Sequence, residues 1–199
     1  MARRCVLALT ALVLALGWGR AAPAHPHVFV TYQVTARIGA DGPSALTFSW
    51  AFDAMYSALV TGDYVNEAGP TLSPVDIERL RDKAFANAAK YHYFVEVWLN
   101  RKPIEVAEVT GFTAAMRDDR LIYEFTVPLA APAARGANEL VVVVFDPEYY
   151  VEFSLAKAHP ATVDAADGIA VKCITYTDQD VPSELGPVVR DVVRCTWRR

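Results

Sequence analysis

A two-residue rhythm of apolar side chains restricts this chain more than any other feature. Val28, Val30, Tyr32, Val34, Ala36 and Ile38 recur at every second position, with His27, Phe29, Thr31, Gln33, Thr35 and Arg37 between them. Successive side chains of a strand point to opposite faces, so the first set faces a core and His27 points away from it. The alternation returns in Leu46, Phe48, Trp50 and Phe52, in Tyr93, Val95, Val97 and Leu99, and in Leu121, Tyr123, Phe125 and Val127. Residues 140–145 are apolar on both faces and β-branched, which predicts a central strand. Weaker strand patterns occupy residues 149–153, 169–176 and 194–197. Residues 130–138, with Pro132 and Gly136, read as a surface loop.

One segment breaks the rhythm. Ser73 is a good N-cap, Pro74 fits the first helical position, and Asp76 and Glu78 suit the positive end of a helix. Ile77, Leu80, Ala84, Phe85 and Ala88 then form a stripe at helical spacing. The fold expected is mainly β, a sandwich of antiparallel sheets with one inserted α-helix at about residues 74–92.

The beginning of the chain reads as an export leader. Arg3 and Arg4 precede an apolar run from Cys5 to Leu16, and Ala22-Pro23-Ala24 offers a small-residue cleavage signal. The run is too short to span a membrane, and no later segment approaches about 20 continuous apolar residues. Cleavage after Ala24 removes 24 of 199 residues and leaves residues 25–199 as a single periplasmic domain. The whole chain has 19 Lys+Arg against 23 Asp+Glu, and three arginines lie in the leader, so the mature balance is −7. That acidity disfavours nucleic acid and anionic membrane surfaces as partners and leans toward cations. Cys5 leaves with the leader. Cys173 and Cys195 remain and, in an exported chain, predict a disulfide; without a C-x-x-C pattern they do not build a closed zinc site.

Processing there makes His25 the first residue, in the sequence His25-Pro26-His27. The freed α-amino nitrogen and the His25 imidazole Nδ1 close a six-membered chelate ring on one metal ion. His27, two residues on, adds a second imidazole, a donor set suited to zinc, nickel, cobalt or copper. An α-amino group titrates at roughly 7.7–8.0, so metal displaces its proton near neutral pH. The square-planar amino-terminal copper or nickel site needs a deprotonated amide at residue two, and Pro26 has no N–H.

Further ligands have to come from elsewhere. Asp53 follows the aromatic strand that ends at Phe52, and Asp146 ends the most apolar strand, where Pro147 forces a turn. Both suit a metal-binding carboxylate, and both also suit capping of the turn that follows, the commoner use of an aspartate there. His92 at the helix end and His159 in a loop are accounted for by position. Residues 63–73 imitate a calcium loop, but with Gly69 as the turn glycine, Tyr64 and Ala68 occupy ligand positions and Val75 replaces the bidentate glutamate. Ser57 and Ser154 have no nucleophile context, so hydrolase chemistry has no support.

Taken in order, His25-Pro26-His27-Val28-Phe29, Phe52-Asp53 with Ser57, the acidic loop into the Ser73 helix, Tyr91 to Phe94, and Phe145-Asp146-Pro147-Glu148-Tyr149-Tyr150 resemble a periplasmic ZevA-like family. Its members were formerly described as uncharacterised periplasmic transport components and partner NicO-type nickel/cobalt/zinc permeases. The resemblance implies a non-enzymatic accessory that binds zinc, or nickel or cobalt, and supports its passage through an inner-membrane permease. It implies His25, His27, Asp53 and Asp146 as metal ligands. The chain departs from the family in the irregular acidic spacing after Asp63 and in lacking a histidine-rich tract. Two other classes stay open: a copper enzyme using an amino-terminal histidine brace, and a metal-free exported interaction domain.

Overall fold

The alternating segments pair into two sheets that share one core. The computed structural model describes residues 27–66, 69, 71–181 and 188–199. The expected leader and His25 lie outside the described residues. In chain order the strands are β1 (Val28–Gly39), β2 (Gly42–Phe52), β3 (Val95–Leu99), β4 (Lys102–Ile104), β5 (Thr110–Arg117), β6 (Arg120–Pro128), β7 (Ala137–Val144), β8 (Val151–Leu155), β9 (Ala161–Ala165), β10 (Val171–Val181) and β11 (Val188–Arg198). The mainly β sandwich expected from the rhythm is the architecture observed.

The first sheet runs β5-β6-β2-β1-β8, with β9 also on β1. β1 pairs antiparallel with β2, but β8 and β9 lie parallel to it, one after the other along its far edge. These parallel pairs depart from the all-antiparallel expectation. Their partners are more than a hundred residues apart, so no tight turn dictates their direction. The second sheet runs β10-β11-β7-β3-β4 and is antiparallel throughout. β7 sits at its centre, as its two apolar faces require.

Alternation decides what each sheet contributes. Val30, Tyr32, Val34, Phe48, Trp50, Phe125 and Val127 from the first sheet bury with Val97, Leu99, Leu140, Val142, Cys195 and Trp197 from the second. Cys173 and Cys195 are opposite one another on β10 and β11 and are joined by a disulfide, which ties the edge strand β10 to its neighbour.

Helical segments connect β2 of the first sheet to β3 of the second. α1 (Ala54–Tyr64) is an element that the sequence pattern did not announce. Its buried residues are Ser57, Val60 and Thr61, so it presents no apolar stripe to read. α2 (Pro74–Arg79) starts where expected, with Ser73 accepting from the Asp76 N–H. The helical path then widens into a π turn at Leu80–Ala84 and tightens into 3-10 turns over Phe85–Phe94. Phe85 drives this segment onto the first sheet, packing against Phe112 at 4.7 Å and Phe125 at 5.0 Å between ring centroids. The path ends in three left-handed residues, His92, Tyr93 and Phe94, with φ of 51°, 56° and 56°.

Candidate metal-binding edge

The start of β1, the end of β2 and the start of β8 meet at one edge of the first sheet. This follows from topology: β2 runs antiparallel to β1 and ends beside its beginning, while β8 runs parallel and begins there. The His-Pro-His segment, Phe52-Asp53 and Asp146 to Tyr150 are far apart in sequence and are brought to the same place.

His27 is exposed and faces solvent, as the alternation predicts. Its N–H donates to the Tyr150 carbonyl at 3.0 Å, and the Val28 N–H reaches the same oxygen at 3.3 Å. The His27 ring lies 5.0 Å from the Tyr150 ring, tilted by 41°. Tyr150 is 56% exposed. In the sequence, only its place in the Asp146 motif connects Tyr150 with this edge.

Asp53 flanks β1 on the β2 side. Its Oδ2 accepts from the Phe29 N–H at 2.9 Å, its own N–H donates to the Phe29 carbonyl at 2.9 Å, and its Oδ1 caps α1 by accepting from Tyr56 N–H at 2.9 Å. Partial burial is the largest single influence on its carboxyl and opposes ionisation. Hydrogen bonds from the backbone of Phe29, Tyr56, Met55 and Asp53 itself together outweigh it and hold the group below the usual carboxylate range. The corner is braced behind Asp53. Buried Ser57 donates to the Asp53 carbonyl at 2.7 Å and accepts from Leu121 N–H at 2.8 Å, and Arg120 donates to the carbonyls of Phe52 and Ala51. Neither Ser57 nor Arg120 had been singled out for such a role.

Asp146 sits differently. It is 3% exposed, and its carboxylate accepts three backbone N–H bonds, from Glu148 at 3.0 Å, Tyr150 at 3.1 Å and Val151 at 2.9 Å. It therefore fastens the turn that carries Tyr150 to β1. His92 places Nδ1 3.3 Å from the Val106 carbonyl, and the His159 carbonyl accepts from Gln33. Neither histidine is brought to this edge by these contacts. Among the described residues no three His, Cys, Asp or Glu side chains converge closely enough to hold a metal ion by themselves. His27 and Asp53 lie at the same end of the first sheet, linked through Phe29, whose N–H donates to the Asp53 carboxylate.

Among the described residues no helix is long and apolar enough to cross a membrane. A family model described as "Protein of unknown function (DUF1007)" matches residues 10–184, a span that contains His25, His27, Asp53 and Asp146. An "Uncharacterized protein" of Haemophilus influenzae is 27% identical over 135 residues, covering 67% of this chain and 64% of that protein. The chain thus spans a little under two thirds of the length of this relative. The "Uncharacterized 15.5 kDa protein in trpE 3'region" of Spirochaeta aurantia is 25% identical over 122 residues, covering 61% of this chain and 86% of that protein.

Proposed function

The chain belongs to the DUF1007 family, and we propose that it is an exported accessory that captures a divalent transition-metal ion at the amino-terminal edge of its first sheet. The ion is cargo, zinc foremost with nickel or cobalt next, passed to a NicO-type inner-membrane permease as the ZevA-like resemblance implies. His25 contributes its imidazole and, after cleavage behind Ala24, its α-amino nitrogen. His27 contributes the second imidazole, and Asp53 lends its carboxylate from the flank. Asp146 acts by positioning, because its oxygens are committed to the turn that holds Tyr150.

The observation that carries this reading is the placement of Asp53, hydrogen-bonded to Phe29 two residues beyond the outward-facing His27. Its depressed pKa means that no proton has to leave the carboxylate for a cation to bind near neutral pH. A donor set of imidazole, amine and carboxylate matches the borderline-soft ions named above. A site at an exposed chain start also suits exchange, which cargo transfer requires.

Calorimetry with zinc, nickel and cobalt on protein beginning at His25 tests this directly. One ion per chain is expected, with binding abolished by the double change His25→Ala and His27→Ala and weakened by Asp53→Asn. A Met placed before His25 removes the chelating amine and weakens binding as well. Failure of all three ions to bind the correctly processed chain overturns the proposal.

A further inference from the structure

α1 carries its large apolar side chains outward. Its buried positions hold Ser57 and Thr61 beside Val60, whereas Met55 and Leu59 are 71% and 62% exposed. They are the two most exposed large apolar side chains among the described residues, and they lie one helical turn apart. A solvent-facing helix surface ordinarily carries charge. Here residues 54–62 contain no charged side chain.

The same face has a shape. Met55 and Leu59 form a ridge along one four-residue row, and the exposed residues Ala54, Ala58 and Gly62 form a groove along the adjacent row. Gly62 lies inside the helix, three residues before the Val65 cap, and its φ is not positive, so no turn requires it. A Cβ added there meets nothing within 4 Å, so no close contact inside the chain requires it either. Glycine is the poorest helix former apart from proline. Its presence fits close approach of a second helix from outside.

Charge selects the occupant. The ridge ends in Asp63, in a last helical turn that holds no basic residue. At the opposite end of α1, Arg120 donates to the carbonyls of Ala51 and Phe52. Arg120 arrives from the β6 side, while the Asp53 carboxylate is turned toward β1. Among the described residues neither Asp63 nor Arg120 is in an ion pair. A face with a ridge beside a groove, an acid at one end and a base at the other, matches itself after a half-turn. Antiparallel pairing of two such helices seats each ridge in the other groove, brings each Asp63 toward the other copy's Arg120, and opposes the helix dipoles favourably. An anionic lipid surface fits poorly, because α1 has no Lys or Arg and the chain is net acidic.

We propose that the outer face of α1 is the contact surface of a two-fold dimer of this chain, paired antiparallel about Ala58. The inference is independent of metal capture and is tested without metal. A contact centred on one 11-residue helix falls below the standard interface size, so the dimer is weak, half formed at about 0.1 mM. Sedimentation velocity on the chain beginning at His25, from about 0.01 to 1 mM, is expected to show that monomer–dimer equilibrium. Leu59→Asp and Gly62→Leu each weaken association by about 10-fold or more, the first by burying a charge and the second by filling the groove. Gly62→Leu keeps or raises the melting temperature, since its side chain enters open space. Asp63→Arg sets like charges together and weakens the dimer by about 3–5-fold. Ala58→Cys cross-links to its own copy under mild oxidation, whereas Ala54→Cys does not, because Ala54 opposes Gly62, about 12 Å further along the other helix. If Gly62→Leu does not fold, Leu59→Asp at its exposed position decides the matter. A monomer across the whole range, or a dimer that Leu59→Asp leaves intact, overturns the proposal. A chain that stays monomeric but binds phosphatidylcholine–phosphatidylglycerol vesicles assigns the face to lipid and overturns it as well.

Discussion

Two buried hydroxyls in this core respond oppositely to deletion, and the contrast exposes what each one does. The Ser57 hydroxyl donates to the Asp53 carbonyl and accepts from the Leu121 N–H, in a residue with no exposed surface. Ser57→Ala leaves the Leu121 amide buried without an acceptor, at a cost of about 2–3 kcal/mol. The Tyr123 hydroxyl has no partner, and burial pushes its pKa far above the ordinary tyrosine value, so it stays neutral. An unpaired buried donor carries a penalty of about 1–3 kcal/mol. Tyr123→Phe removes that penalty and leaves a small gap where the oxygen stood, for a net gain of about 1 kcal/mol in ligand-free protein. A chain of this size then melts roughly 2–4 °C higher. Urea titrations followed by circular dichroism, with equal slopes required across the three proteins, measure both changes. The usual result for a buried tyrosine is a loss on Tyr→Phe substitution. Should Tyr123→Phe lose 1 kcal/mol or more, the hydroxyl has a partner, and the reasoning for the stability change fails.

Asp146→Ala strips the acceptor from three backbone N–H groups and is expected to destabilise the protein by about 2–4 kcal/mol, with the amides of Tyr150 and Val151 the first to gain hydrogen-exchange rate. Unchanged exchange at those amides contradicts the anchoring role. Reduction of Cys173–Cys195 releases a loop closed over 22 residues and lowers stability by about 3 kcal/mol, read as a shift in urea midpoint with and without dithiothreitol. Asp76 has its pKa lowered first by the Ser73 hydroxyl, and further by the Asn66 N–H and Arg79. Its contribution is full above the unfolded carboxylate value of about 3.9 and is lost as pH falls through the lower folded value. The stability difference between wild type and Asp76→Asn therefore narrows as pH drops from about 6 to 3; a constant difference argues against the ionic cap.

How far the fold was legible depends on whether information is local. The outward face of β1, the central place of β7 and the capped start at Ser73 follow from periods and caps contained within a dozen residues, and all three are found. α1 escaped because its buried positions hold Ser57 and Thr61 beside Val60, so no apolar period exists there. The irregular helical path escaped because its widening is imposed by the seat of Phe85 against Phe112 and Phe125, residues more than 25 positions away. At the candidate site the ambiguity was real. Each aspartate suited a cap or a ligand, and local sequence carries no signal to separate the two. Asp146 proves to be committed to backbone amides, while Asp53 combines a cap with a bond to the strand that bears His27. Tyr150 reached His27 only because β8 pairs parallel to β1, a long-range fact with no local trace.

That parallel pairing also limits where metal donors can be. His27 is tied to the Tyr150 carbonyl, and Phe29 is tied to Asp53 from the other side, so the strand start is held between two neighbours. An α-amino group two residues before His27 lies within about 7 Å of it along the backbone, however the intervening proline is arranged. Under the proposed processing, the amine of His25 is within covalent reach of His27, on the strand that Asp53 holds through Phe29. A site built this way depends on the first residue: one additional amino acid abolishes the chelate ring of His25 while leaving the fold intact. Binding measured on Met-extended and correctly processed chains of equal stability isolates that ring. Equal zinc affinity in the two removes the amine from the site and leaves only the imidazole pair and Asp53 as candidate donors.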